Sequence, residues 1–397
     1  MLATENIIKM KAVNFMKKIF TYPIVIKRGC TADARRYLDE NFGKSFAVVC
    51  DENTEYLAKD SFPYSKKVLF PAGSHATEEN ADILINEIRS GKFQCLVACG
   101  SGSVHDITRY ACHSEKIPFV SFPTAPSVDG FVSNVAAMTF KGRKITFPST
   151  PPAALFADAN VYETAPSALT ASGVGDIVGK YVSLFDWEFT ALLTDETVED
   201  DIYKLERDAL ESVMNSDIGS PDYIEHVMQC LVKSGIAIQM KGSSRPASGA
   251  EHHLSHLWEM NCISDETDAL HGEKVGVSTL LVLDRYKRSK ALRFKPKPLD
   301  KEYLLPIFGK LSDGIIEENT PDTLALISQE KLDRCSDSII KLIDALPSPD
   351  TIREYLLSVG AKTTLGELGL PDTAEFAEKS LDYAPYVRSR LTMLKVI

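Results

Sequence analysis

The sequence predicts a two-domain protein: an α/β domain of the nucleotide-binding type with a parallel sheet, followed by an all-α domain. Short apolar runs alternate with helical spacing as far as about residue 165, and strand-like runs are nearly absent beyond it. The chain has 397 residues, which is more than one hydrophobic core commonly supports. We therefore expect domains at residues 1–165 and 166–397.

Continuous apolar runs predict the strands of the first domain, at residues 45–50, 66–70, 95–99 and 118–122. Helical spacing between residues 78 and 88 separates the second run from the third. Uninterrupted apolar strands that alternate with helices favour a parallel sheet covered on both faces. In the second domain, helical spacing covers residues 167–193, 206–215, 223–240, 251–261, 274–288 and 323–346, the last with a break. The Lys-Pro-Lys-Pro run at 295–298 predicts a loop.

Charge and composition indicate which partners and cellular locations the sequence favours. The net charge is −11 without a long like-charge run, which disfavours nucleic acid because phosphate backbones need a basic surface. No apolar run approaches the roughly 18 residues of a membrane helix. Residues 1–22 lack the pattern of a cleaved signal, so we expect them in the mature protein. The eight scattered cysteines favour free thiols and a cytoplasmic location.

A glycine-rich turn follows the predicted strand at 95–99. Gly100, Ser101 and Gly102 lead into a helix that we expect to open at Ser103. Glycines allow the backbone to approach a ligand closely, and the free amides at a helix N-terminus bind phosphate. The turn departs from the G-x-G-x-x-G fingerprint because His105 occupies the third glycine position. A simple tight connection remains the alternative.

Asp51 ends an earlier predicted strand, where a carboxylate commonly accepts the ribose hydroxyls of adenosine. Such a carboxylate would repel a 2′-phosphate, so this interpretation favours NAD over NADP. The alternative is a cap for the helix that contains Tyr56 and Leu57.

The loop at 123–133 follows another strand, and two prolines make it stiff enough to form the wall of a site. Ligands of open α/β sheets lie beyond the carboxyl ends of strands. Asp129 and Ser133 are its polar candidates. A turn in which Asp129 accepts hydrogen bonds from backbone amides is the alternative.

A histidine cluster predicts a metal centre. His252 and His256 are four residues apart, so a helix would place both on one face. His271 follows after a turn of the chain. Imidazole is a common ligand of divalent metals, and a carboxylate would complete the site. Asp176 lies in an apolar, glycine-flanked segment where an unpaired carboxylate is rare. An ion pair between Asp176 and Lys180 is the alternative, and a structural role is the favoured interpretation of the neighbouring His253.

Four segments in register resemble one superfamily. They are G-S-G-S-V-H-D, P-T-A-P-S-V-D-G-F-V-S, G-D-I-V-G-K-Y, and E-H-H-L-S-H followed by H-G-E-K-V-G-V. This pattern resembles the metal-dependent polyol dehydrogenases related to glycerol dehydrogenase, iron-type alcohol dehydrogenase and 3-dehydroquinate synthase. Within that superfamily it is most similar to the bacterial glycerol-1-phosphate dehydrogenases. The resemblance covers nearly the whole chain and implies a dehydroquinate synthase-like fold.

The resemblance also implies roles for individual residues. The metal ligands would be Asp176, His252 and His271. His256 and Asp129 would act in catalysis, the latter near nicotinamide and substrate. The cofactor would contact Asp51, Gly100, Ser101, Gly102, Ser103, Asp106, Thr124, Ser127 and Ser133. Arg109 and His105 depart from the residues usual in this superfamily, at positions where we expect no effect on the chemistry.

The implied reaction is the metal-dependent reduction of dihydroxyacetone phosphate to sn-glycerol 1-phosphate with NAD(H), or NADP(H). The metal would be zinc, nickel or iron, and the assembly a homodimer. Arg245 and Ser248 are the candidates for the substrate phosphate, with Lys274 and Lys180 as weaker ones, and a surface ion pair is the alternative for Arg245. A glycerol dehydrogenase acting on an unphosphorylated polyol, a carbon–oxygen lyase of the dehydroquinate synthase type and a non-enzymatic metal-binding protein are the rival functions.

Overall fold

The computed structural model describes residues 22–63, 65–265, 267–297 and 299–397. Residues 1–21, for which a place in the mature protein is expected, lie outside this part of the chain, as does Pro298 of the predicted loop. The strands within it are β1 (Ile24–Ile26), β2 (Phe46–Asp51), β3 (Lys66–Phe70), β4 (Cys95–Gly100), β5 (Phe119–Pro123), β6 (Val135–Phe140), β7 (Arg143–Pro148) and β8 (Ala154–Ala157).

A six-stranded sheet in the order β1-β8-β5-β4-β2-β3 forms the N-terminal part, and every pairing in it is parallel. Two buried apolar clusters contain alternating strand residues, such as Val97 in one and Leu96 in the other, so both faces of the sheet are covered. The predicted fold class is therefore confirmed. The helices of this part are α1 (Thr31–Phe42), α2 (Glu55–Ser61), α3 (Glu78–Gly91), α4 (Gly102–Glu115) and α5 (Ala159–Tyr162).

Helices make up the rest of the described chain. They are α6 (Ser167–Val178), α7 (Lys180–Leu193), α8 (Asp200–Met214), α9 (Tyr223–Lys241), α10 (Ala250–Glu259), α11 (His271–Arg288), α12 (Lys301–Phe308), α13 (Ser312–Glu318), α14 (Gln329–Ala345), α15 (Pro349–Ser358) and α16 (Ala374–Tyr383). Short 3-10 turns occupy Gly130–Val132, Ser289–Ala291, Gly309–Leu311, Thr323–Leu326, Gly366–Leu368, Ala384–Tyr386 and Met393–Val396. One large apolar core joins these helices. None of the helices described here is long and apolar enough to cross a membrane.

Two local predictions need correction. The single helix expected at 167–193 is two helices, α6 and α7, that meet at Gly179, a residue of low helix propensity. The helix expected to start at 274 begins at His271, where the Glu273 carboxylate accepts a hydrogen bond from the Leu270 amide at 2.8 Å. The strands β1, β8 and the antiparallel β6–β7 hairpin were not predicted.

The β6–β7 hairpin turns through Lys141 and Gly142, which both adopt positive φ (50° and 76°). Such a two-residue turn matches the twist of antiparallel strands. The hairpin reaches the helical part of the molecule, since Arg143 pairs with Glu318 at 2.6 Å and Lys144 with Glu259 at 3.3 Å. It therefore forms a wall between the sheet and the helices.

Strand order predicts a ligand-binding crevice at the β2–β4 junction. From β2 the chain continues outward to β3, then returns to β4 on the opposite side of β2. Ligands of open α/β sheets bind at such a switch point. Asp51 ends β2 and Gly100 ends β4, so both predicted cofactor contacts lie at this crevice.

Helices α6 and α11 cross at backbone distance. A Cβ atom placed on Gly272 would lie 1.8 Å from the Ser172 carbonyl oxygen, and one on Gly175 would lie 2.2 Å from the Gly272 carbonyl oxygen. Only glycine permits this approach. The crossing brings the end of α6, which carries Asp176, against the start of α11, which carries His271.

Candidate metal and cofactor site

Asp176, His252 and His271 come together although they lie on three different helices. Their ligand atoms all lie within 4.8 Å of one another. His252 Nε2 and Asp176 Oδ1 are 3.5 Å apart. Two ligands held tetrahedrally at about 2.1 Å from a metal are separated by roughly 3.4 Å. The donor set and its spacing therefore fit one divalent cation.

A carboxylate holds the other ring nitrogen of each histidine ligand. His252 Nδ1 lies 2.7 Å from Glu251 Oε1, and His271 Nδ1 lies 3.0 Å from Glu259 Oε1. This arrangement fixes the orientation of each ring and leaves Nε2 free to bind a cation. Neither glutamate was predicted, although Glu251 directly precedes His252 in the sequence. Glu259 reaches His271 only through the packing of α10 against α11.

The alternative predicted for Asp176, an ion pair with Lys180, is also present in the structure. Lys180 Nζ lies 3.0 Å from Asp176 Oδ1 and 2.7 Å from Asp129 Oδ2, and it donates to the Ala247 carbonyl at 3.0 Å. Burial alone would raise the pKa of Asp176, but Lys180 and His252 hold it below its usual value. Asp176 is therefore ionised and available to a cation. Lys180 has all three donors engaged, so it is a poor candidate for the substrate phosphate.

Asp129 is fixed by the same network. Its amide donates to Asp176 Oδ2 at 3.0 Å, and Ser234 Oγ lies 2.9 Å from its Oδ2 and 2.6 Å from Glu206 Oε1. A chain of polar groups thus runs from Asp176 through Lys180, Asp129 and Ser234 to the fully buried Glu206. Burial raises the pKa of Glu206 to about 8, and Asp129 adds to this effect against the opposing charge of Lys180.

This raised pKa predicts a pH-dependent stability. The folded state keeps Glu206 protonated up to about pH 8, whereas the unfolded chain releases the proton near 4.5. Folding takes up a proton in this window, so the free energy of unfolding falls as pH rises through it. Glu206→Gln should flatten this fall by roughly 1 to 3 kcal/mol between pH 5 and pH 7.5, measured by urea denaturation. Asp208→Asn, at an exposed position on the same helix, should keep the wild-type dependence. Identical slopes for wild type and Glu206→Gln would contradict the assignment.

The two predicted loops lie side by side at the crevice. Ser101 Oγ and Ser127 Oγ are 2.6 Å apart, and the Thr124 amide donates to the Gly100 carbonyl at 3.1 Å. Helix α4 begins at Gly102, so its first free amides belong to Gly102 and Ser103. A Cβ on Gly100 would meet Val104 at 2.7 Å, which explains the glycine there.

Asp51 makes the local contacts expected of a helix cap, the alternative to ribose binding. Its carboxylate lies in a turn that precedes α2. Its Oδ1 accepts from the Thr54 amide at 2.9 Å and from Thr54 Oγ1 at 2.8 Å. Thr54 Oγ1 also lies 3.2 Å from the Cys99 carbonyl oxygen, which links the ends of β2 and β4. The Asp51 side chain is only partly buried. The position of Asp51 is therefore compatible with both ribose binding and capping of α2.

The remaining cofactor candidates have partners within the protein. Asp106 pairs with the buried Arg109 at 2.6 Å, and Arg109 also donates to the Val135 carbonyl at 3.1 Å. Ser133 Oγ donates to that same carbonyl at 2.9 Å. His105 contacts the Ser101 carbonyl and Ser121 Oγ, and burial lowers its pKa to about 3. These contacts are consistent with structural roles for Arg109 and His105.

The His256 ring lies beside the other two rings of the cluster, with its centroid 6.0 Å from that of His252 and 5.8 Å from that of His271. Burial, with the charge of Arg388, lowers its pKa well below the usual value, so the ring is neutral. His256, Glu259 and His271 form a second group of potential ligand atoms within 4.8 Å of one another, but Glu259 also pairs with Lys144 and Lys274 at 3.3 Å. His253 is fully buried, which is consistent with a structural role.

The predicted phosphate residues line a cavity of about 540 Å³ that also includes His256. Arg245 pairs with Glu196 at 2.9 Å, as in its alternative interpretation, but the arginine is buried rather than at the surface. It also donates to the carbonyls of Leu391 and Asp186. Ser248 lies on the cavity wall. Two further arginines on this wall, Arg388 and Arg390, were not predicted, because nothing in the sequence near the motifs points to the C-terminal segment.

The fold is similar to that of iron-containing alcohol dehydrogenases. Residues 25–166 match the family model described as iron-containing alcohol dehydrogenase. The structure is similar to an iron-containing alcohol dehydrogenase of Corynebacterium glutamicum, with a TM-score of 0.61 and 14% identity over 95% of this chain and 91% of the other. At that identity the similarity concerns the fold alone.

Sequence comparison narrows the class. The chain is 34% identical over 388 residues to a protein of Geobacillus thermodenitrificans named glycerol-1-phosphate dehydrogenase (NAD(P)+), covering 94% of this chain and 91% of that protein. A Geobacillus stearothermophilus protein of the same name is 34% identical over 395 residues, with the same coverage. The chain belongs to the glycerol-1-phosphate dehydrogenase family. The resemblance drawn from the four motifs is thus confirmed.

Proposed function

We propose that this protein is an NAD(P)H-dependent oxidoreductase that reduces dihydroxyacetone phosphate to sn-glycerol 1-phosphate. The observation that carries this proposal is the cluster of Asp176, His252 and His271 in a chain of this family. A divalent cation held there would polarise the substrate carbonyl as a Lewis acid, while the nicotinamide supplies the hydride. Zinc, nickel and iron(II) all suit two imidazoles and one carboxylate.

The protein side chains have separate tasks in this reaction. Glu251 and Glu259 orient the histidine ligands, and Lys180 keeps Asp176 ionised and holds Asp129 in place. His256 is neutral, so its ring carries one N–H and one lone pair and passes a proton rather than storing one. We propose that it relays the proton that the product oxygen requires, and that Asp129 positions the substrate beside the nicotinamide.

The cofactor is proposed to lie across the β2–β4 crevice. The amides of Gly102 and Ser103 face outward at the N-terminus of α4 and would hold the pyrophosphate. The contact between Ser101 and Ser127 keeps the two loops together beneath it. The finer features implied by the resemblance, a homodimer in the cytoplasm, also remain part of this proposal.

The decisive experiment pairs metal analysis of the purified protein with NADH oxidation, before and after chelation. We expect oxidation of NADH by dihydroxyacetone phosphate, loss of activity after chelation, and recovery with zinc or nickel. Equal turnover of unphosphorylated dihydroxyacetone would favour a glycerol dehydrogenase. Phosphate release without net NADH oxidation would favour a lyase of the dehydroquinate synthase type.

Substitution of Asp51 separates its two interpretations. Asp51→Ser should raise KM for NADH roughly tenfold, because a charged acceptor for the ribose hydroxyls is lost. KM for NADPH should stay constant or fall, because repulsion of the 2′-phosphate is lost as well. Thr54→Val is the matched control: it disrupts the turn around Asp51 but keeps the carboxylate, and it should leave the NADH-to-NADPH preference unchanged. An unaltered preference in Asp51→Ser would contradict the ribose role.

A further inference from the structure

The cavity beside His256 contains more arginine side chains than carboxylates that pair closely with them. Arg245 pairs with Glu196 at 2.9 Å, whereas Arg388 lies 3.6 Å from Glu318, a carboxylate that Arg143 approaches more closely, at 2.6 Å. In the described chain, no carboxylate lies within 4 Å of Arg390. Its guanidinium donates to Ser244 Oγ at 3.0 Å and to the Ser248 carbonyl. Burial, with the charges of Arg245 and Arg388, lowers the pKa of Arg390 to about 9.

Such a cluster of guanidinium groups is costly without an anion. Charges removed from water need a partner, and like charges at close range repel each other. The cavity also offers unused hydrogen-bonding groups. Arg388 Nη2 and His256 Nδ1 are both buried and have no hydrogen-bond partner among the residues that the structure describes. Buried polar atoms without a partner are rare in folded proteins, and a ligand is one explanation.

The segment that carries the two arginines is held firmly. The Met393 amide donates to Asp186 Oδ1 at 2.9 Å, and the Leu391 carbonyl accepts from Thr190 Oγ1 at 3.0 Å. Arg390 in turn donates to the loop that precedes α10. The guanidinium groups are thus fixed before any ligand arrives, which lowers the entropic cost of binding.

We infer that this cavity binds the phosphate group of the substrate, with Arg388 and Arg390 as its principal ligands. This inference rests on the proposed function and assigns the residues that distinguish a phosphorylated three-carbon ketone from an unphosphorylated one. Guanidinium groups match phosphate oxygens in charge and geometry. His256 forms part of the cavity wall, and the centroid of its ring lies 6.0 Å from that of His252 and 5.8 Å from that of His271. A phosphate in the cavity therefore leaves the carbonyl of a short ester within reach of the metal ligands.

Arg245 receives a different task in this arrangement. Its Nε pairs with Glu196, and its terminal nitrogens donate to Thr190 Oγ1 and to the carbonyls of Asp186 and Leu391. Those contacts connect α7 to the C-terminal segment. Arg245 is thus a positioning residue that places Arg390, and the phosphate contacts belong to the other two arginines.

The test compares two substrates in Arg388→Met, which keeps an apolar stem of similar length. With dihydroxyacetone phosphate, kcat/KM should fall about a hundredfold, since a charge-assisted contact is lost. With dihydroxyacetone the loss should be at least about tenfold smaller, because that substrate never uses the contact. Metal content should equal that of the wild type. Arg285→Met, at an arginine paired with Glu378 away from the cavity, is the matched control and should preserve the substrate preference.

A binding measurement separates failure of this inference from failure of the proposed function. Calorimetric titration with inorganic phosphate requires no turnover: the wild type should bind it, Arg388→Met should not, and Arg388→Lys should bind more weakly than the wild type. Inorganic phosphate should also inhibit competitively against dihydroxyacetone phosphate. If the wild type is inactive with the ester but binds phosphate, and Arg388→Met does not bind it, the anion site is supported and the proposed reaction is refuted. Full activity of Arg388→Met with the ester, equal losses with both substrates, or non-competitive inhibition would overturn the inference.

Discussion

His271→Ala is expected to lose its bound metal and to lower kcat/KM for ketone reduction by roughly a thousandfold or more, because Lewis-acid activation disappears. The ligand set of Asp176, His252 and His271 would retain only two members. The fold should survive, since Glu259, left without the imidazole, still pairs with Lys144 and Lys274 at 3.3 Å. Elemental analysis and circular dichroism of the same sample would check both parts.

A histidine away from the cluster provides the control. His113 is exposed and contacts Thr150 Oγ1 at 2.8 Å, so His113→Ala should keep full metal content and activity. The ligand assignment is wrong if His271→Ala retains both. Loss of activity with full metal occupancy would instead place His271 in substrate binding.

Gly272→Ala should have the largest effect on stability. The new Cβ would lie 1.8 Å from the backbone carbonyl oxygen of Ser172, a position that no side-chain rotation relieves. Helices α6 and α11 would have to move apart, at a cost of about 3 kcal/mol or more. Because Asp176 and His271 lie on opposite sides of this crossing, metal affinity should fall as well. Urea denaturation and metal titration would measure the two losses.

Gly276→Ala, one turn further along the same helix, is the matched control. A Cβ there would lie 3.4 Å from the Gly175 Cα, an ordinary contact, and alanine favours the helix. Its free energy of unfolding should stay within about 1 kcal/mol of the wild type. A Gly272→Ala protein as stable as Gly276→Ala would show that the crossing is looser than described.

Features encoded by local sequence were predictable. Four of the six sheet strands form continuous apolar runs, and the glycine turn at Gly100 and the proline-rich loop at 123–133 follow two of them. Parallel strands end at the same edge, so adjacency of these loops follows from the fold class. The spacing of His252 and His271, with Asp176 in an apolar segment, was enough to suggest a ligand set that the structure brings together.

Features that depend on packing were not predictable. Glu259 contacts His271 only because α10 lies against α11, and its sequence context is that of an ordinary surface glutamate. Arg388 and Arg390 reach the site from the C-terminus, far from every motif. The edge strand β1 is too short for a clear pattern, and the break at Gly179 lies within an otherwise continuous helical run.

The close crossing of α6 and α11 has a consequence for the apoprotein. A cation held between Asp176 and His271 would cross-link these two helices at the point where they touch. Ion binding to the native state alone adds to conformational stability in proportion to the logarithm of the free ion concentration. The catalytic ion would then also protect the enzyme against heat, and cells short of the metal would hold a protein that is both inactive and more easily degraded.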